Sequence, residues 1–131
     1  MRSGRAGLAL LATSLSLACA RGQRFEQADA NTRVTLGAAT YPLVVGSNEL
    51  TLEVTGRDGE RIAADATVEV RYGLPPMPGM GPVEHEVAPR RDGDRFVFAA
   101  DVHTRARWTV DVIVRRRGVP DSRFGFSLDA P

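Results

Sequence analysis

Between Arg33 and Leu128 apolar side chains recur at every second position, and turn-forming residues interrupt them at short intervals. In Glu49 to Thr55, Leu50, Leu52 and Val54 alternate with Thr51, Glu53 and Thr55. In Ala66 to Tyr72, Ala66, Val68, Val70 and Tyr72 share one parity, and Thr67, Glu69 and Arg71 the other. A period of two belongs to a strand with one face on a core and the other in water. The same pattern runs through Val83, His85 and Val87, through Phe96, Phe98 and Ala100, through Trp108, Val110, Val112 and Val114, and through Phe124, Phe126 and Leu128. Arg33–Leu36 and Tyr41–Val45 add a first strand or two, broken around Gly37. Arg57-Asp58-Gly59-Glu60 and Arg91-Asp92-Gly93-Asp94 read as turns, and the Asp92-Gly93 step favours a hairpin. No helical stripe of apolar residues follows the leader. The spacing predicts an all-β, immunoglobulin-like antiparallel β-sandwich of about seven strands, with a small barrel as the alternative.

The N-terminus changes the picture by giving the domain an address. Met1 to Arg5 is basic, and Ala6 to Ala18 is apolar and rich in small residues. That run is shorter than the ~20 residues a spanning helix needs, so it reads as an export signal. Ser16-Leu17-Ala18-Cys19 resembles a lipoprotein box, while Ala18-Cys19-Ala20 also fits ordinary signal cleavage. Cys19 is the only cysteine, so it has no disulfide partner within the chain, and lipidation would consume a thiol that is a liability in an oxidising compartment. The sequence thus divides into a signal peptide over 1–18, a flexible polar tether over 19–31 and one domain over 32–131. The expected place is the periplasmic side of the envelope, anchored through Cys19. Ala20 carries no acidic retention signal, which favours an outer membrane where there are two.

Charge excludes one class of partner. All 17 basic residues are arginine, but 16 acidic residues are interleaved with them, and the leader accounts for Arg2 and Arg5. The exported part is close to neutral and has no basic stripe for nucleic acid. No nucleophile elbow, zinc-protease helix or phosphate loop is present, so a non-catalytic role is expected.

The most unusual stretch is GLPPMPGMGP, Gly73 to Pro82, which holds both methionines of the exported part. In a polyproline conformation Met77 and Met80 would stand ~9 Å apart along the axis, too far for one ion. Gly79 is the flexible residue between them, and a bend there would bring the two thioethers together. Soft thioethers and imidazoles favour copper, above all Cu(I). Met77, Met80, His85 and His103 therefore form the candidate ligand set. His85 has the parity of a half-buried strand residue, and His103 lies in a turn. The alternative keeps Met77 and Met80 as packing residues over Tyr72 or Phe96, with the loop only a stiff crossover.

Asn48, the Asp58-Gly59 turn, Ala66-x-Val-x-Val, Met77-Pro-Gly-Met80, the Asp92-Gly93 turn leading to Phe96, and Trp108-x-Val-x-Val occur in an order that resembles the YtkA-like domain, with the FixH proteins as more distant relatives. The resemblance implies a small exported or membrane-attached immunoglobulin-like domain over about residues 32–129. It also implies an association with heavy-metal efflux or terminal-oxidase assembly, and so a membrane-protein partner. Relatives carry a methionine where this chain has Thr104, a departure for which the adjacent His103 would compensate. Two uses without metal stay open: docking of a membrane protein, and a structural envelope lipoprotein.

Overall fold

The computed structural model describes residues 22–131. The expected signal peptide and the lipidation site Cys19 lie outside the described residues. Among the described residues nine strands follow one another: β1 (Gln23–Ala28), β2 (Thr32–Ala38), β3 (Gly46–Gly56), β4 (Thr67–Leu74), β5 (Val83–Val87), β6 (Arg90–Asp92), β7 (Arg95–Val102), β8 (Ala106–Arg116) and β9 (Val119–Ala130). They form two antiparallel sheets, one ordered β1-β2-β3-β7-β6 and the other β5-β4-β8-β9. The chain is a β-sandwich.

The alternating positions supply both inner faces. Leu50, Leu52 and Val54 of β3 and Phe96 and Phe98 of β7 meet Val70 and Tyr72 of β4, Trp108, Val110 and Val112 of β8, and Phe124, Phe126 and Leu128 of β9 in one buried cluster. Burying each large apolar side chain contributes about 1.5–3 kcal/mol. A one-residue slip of any strand would turn its apolar set into water, so the core fixes the register. At the far end of the sandwich Arg91 holds the 57–66 loop, donating to the carbonyls of Ile62, Ala63 and Ala64 while its guanidinium lies over Phe96.

Three expectations need correction. The segment 19–31 is not all tether: Gln23–Ala28 pairs with β2 from Gln23↔Ala38 to Ala28↔Arg33. Its hidden signal is Phe25, which packs edge-on against Tyr41 with ring centroids 5.3 Å apart. Gly37 does not break the first strand, because it pairs in the ladder with Thr51 while Leu36 and Ala38 bury their side chains. The break falls instead at residues 39–45, an irregular loop containing the cis Tyr41–Pro42 peptide. Arg90–Asp92 is a further short strand, paired with β7, and the turn at Gly93 makes the expected hairpin. Seven strands become nine.

One end of the sandwich gathers the candidate residues. There β3 begins at Gly46, opposite the end of β7 at Val102. There too β8 begins at Ala106, opposite Ala130 of β9, and β4 ends at Leu74. The loops 39–45, 75–82 and 103–105 all emerge from this rim.

Candidate metal centre

The loop Pro75–Pro82 is the tip of a hairpin, not a polyproline rod. Met77 and Met80 exchange two backbone hydrogen bonds, 3.1 Å from Met77 N to Met80 O and 2.9 Å in the reverse direction. Pro78 and Gly79 occupy the turn, and Gly79 adopts φ +80, a conformation that needs glycine. A pair of this kind holds its Cα atoms ~5.5 Å apart. The bridge continues the register of β4 and β5, which runs from Val70↔Val87 through Tyr72↔His85 to Leu74↔Val83. Gly73 permits that close pairing, because a Cβ there would stand 1.8 Å from the carbonyl oxygen of Val83. Met77 is 37% exposed and Met80 51%, so neither side chain packs into the core. Both count instead among the large exposed hydrophobics of the described residues.

Five positions down each arm from the methionine bridge, the register places His85 opposite Tyr72, and the rings stack with centroids 4.9 Å apart at 25°. From the other side comes His103, the first residue after β7, edge-on to Trp108 at 5.0 Å. The two imidazoles stand 6.1 Å apart between centroids, and Tyr72 and Trp108 lie 6.2 Å apart beneath them. This box is braced by its own polar atoms. The Tyr72 hydroxyl accepts from the amide of Asp101, 3.1 Å away, and so ties the hairpin sheet to the end of β7. Trp108 Nε1 donates to the carbonyl of Thr104 at 3.0 Å and fixes the loop that carries His103. Thr104 thus contributes its backbone, not its side chain, to this bond.

The chemistry converges on one atom. His85 Nε2 is buried and has no hydrogen-bond partner among the described residues. A buried polar atom without a partner costs about 1–3 kcal/mol. Two nitrogens bound to one ion at ~2.0–2.1 Å stand no more than ~4.2 Å apart. Rings 6.1 Å apart between centroids reach that separation when a nitrogen of each points at the other. Among the described residues no three His, Cys, Asp or Glu side chains converge, so further donors for one ion would have to come from elsewhere.

The structure therefore divides the expected ligand set into two pairs near one rim, His85 with His103 and Met77 with Met80. His85 lies five positions along the chain from Met80, an extended span of ~17 Å. No hydrogen bond joins a methionine sulfur to either imidazole among the described residues. Tyr72 and Trp108 are buried in the core, as their alternation indicates, and they also wall the two imidazoles, a contact that sequence reasoning missed. A signal for Tyr72 was present: a two-residue Pro78-Gly79 turn, counted backwards along both arms, sets Tyr72 against His85.

No curated protein and no solved structure matches the chain. The YtkA-like family description matches residues 26–113, from the second half of β1 into β8, and includes the hairpin, both histidines and Trp108. On that match, which spans more than half its length, the chain belongs to the YtkA-like family.

Proposed function

We propose that this chain is a non-catalytic domain of the cell envelope, held to a membrane by lipid on Cys19, which takes up and passes on copper as cargo. The observation that carries this reading is the buried, unpartnered Nε2 of His85 beside the imidazole of His103. An ion there would give that nitrogen the partner it lacks. Imidazole alone suits several metals, but the thioethers of Met77 and Met80, exposed at the same rim, favour Cu(I). A paired and exposed thioether site is suited to loading and release, and a braced imidazole pair to retention. The receiving partner would be a membrane protein of efflux or oxidase assembly.

Titration with Cu(I) against a competing chelator tests the proposal. Replacing both histidines, His85→Leu with His103→Leu, should weaken binding by more than the roughly 10–100-fold that loss of a ligand's own hydrogen-bond partner costs. Met77→Leu with Met80→Leu should leave the tighter binding in place and remove the weaker. Equal affinity of the wild type and the histidine variant would overturn the assignment, and would leave the rim to docking without metal.

A further inference from the structure

The rim that carries the candidate site is also where the chain outside the described residues departs. β1 begins at Gln23, level with Ala38, which in turn pairs with Leu50 of β3. From Leu50, β3 has four residues still to run to its rim end at Gly46, an advance of ~14 Å. Gly22 continues in that direction, since a Cβ on it would lie 2.8 Å from the carbonyl oxygen of Ala38 and 3.3 Å from that of Ala39. Cys19 lies four residues before Gln23. Even fully extended, those residues span no more than ~14 Å. A lipid on Cys19 therefore cannot sit farther out along the strand axis than about the level of Gly46.

The surface found at that level is apolar. Val44 is 51% exposed and Val45 55%, and together with Met77 and Met80 they are the large exposed hydrophobics of the described residues. Val44 and Val45 share a shallow cleft with Pro42, Leu43, Arg105 and Pro131. Arg105 is exposed and makes no ion pair among the described residues. Apolar side chains beside an unpaired guanidinium suit the boundary between acyl chains and anionic headgroups.

We infer that the 39–45 loop and the Met77–Met80 tip form a membrane-contacting rim, with Val44, Val45 and the methionines dipping into the lipid interface and Arg105 meeting lipid phosphate. The inference rests on the lipid anchor proposed above. It fixes the orientation of the domain: the tether is too short to hold the rim off the bilayer, so the copper site faces the membrane and the 57–66 loop faces away. Cargo would then be exchanged at the membrane surface, not with the open periplasm.

The test uses the full chain, purified as processed and reconstituted in vesicles of phosphatidylethanolamine and phosphatidylglycerol with bromine-labelled acyl chains. Single reporters are Val45→Trp and Met80→Trp at the rim and Asp58→Trp at the opposite end, read above the constant emission of buried Trp108. Apolar side chains buried ~5–10 Å into the interface should lose roughly half or more of their emission, while the reporter at position 58 is unchanged. Mass spectrometry of the same samples reads the lipid on Cys19. Lipid present with quenching at position 58, or at none of the three, overturns the orientation and leaves the anchor standing. Absence of the lipid overturns the anchor, and the inference with it.

Discussion

Gly73 shows how one residue type sets the geometry of the site. Its missing Cβ lets the carbonyl of Val83 come close, and its own carbonyl accepts from Thr109 Oγ1 at 3.3 Å, so β5, β4 and β8 converge beside Tyr72. Gly73→Ala would press a methyl group into backbone that has nowhere flexible to move. The expected cost is about 1–3 kcal/mol, read as a lower urea midpoint with unchanged slope. An unchanged midpoint would show that the hairpin register is looser than described. At this scale the sequence was only half readable. The parity of His85 and the need for a bend at Gly79 follow from local rules, and both hold in the structure. The approach of His85 to His103 does not follow from any local rule, because it depends on the crossover from β7 in one sheet to β8 in the other.

At the scale of the strands, the outer face of the four-stranded sheet carries a ladder of ion pairs that runs across every strand. Glu84 of β5 pairs with Arg71 of β4, Arg71 with Glu69, Glu69 with Arg115 of β8, and Arg115 with Asp121 of β9. The hydrogen bond from Arg115 comes first, and with help from Arg71 it holds the Glu69 carboxyl below its usual value; Glu69 in turn raises Arg115. A depressed carboxylate contributes stability that is complete above its unfolded value near ~4.3 and is lost as pH falls through the lower folded value. The difference in urea midpoint between the wild type and Glu69→Gln should therefore be present at neutral pH and shrink below about pH 4. A difference independent of pH would contradict the pairing. Strand existence and facing were legible here, since Leu50 to Val54, Phe96 to Ala100 and Trp108 to Val114 all bury the parity their patterns indicate. β1 was not legible. Gln23–Ala28 has one aromatic and otherwise mostly polar side chains, and only the edge of β2 makes it a strand.

For the whole molecule, the fold does two things for the rim. It brings a hairpin from one sheet and a crossover loop from the other to one end, and it starts the first strand just short of that end, so that the proposed site and a lipid on Cys19 would face the same way. Loop positions explain why function was less readable than fold: alternation specifies a sandwich, but which loops share an end is a property of topology. The central claim is that His85 and His103 act as one ligand pair. Nitrogen-15 NMR of the imidazole side chains during Cu(I) addition tests it most directly. Both imidazoles should shift together and be complete at one equivalent, with His85 Nε2 losing its free-nitrogen signature, and the methyl groups of Met77 and Met80 should respond only afterwards. Saturation of the methionine methyls with the imidazole resonances unmoved would contradict it.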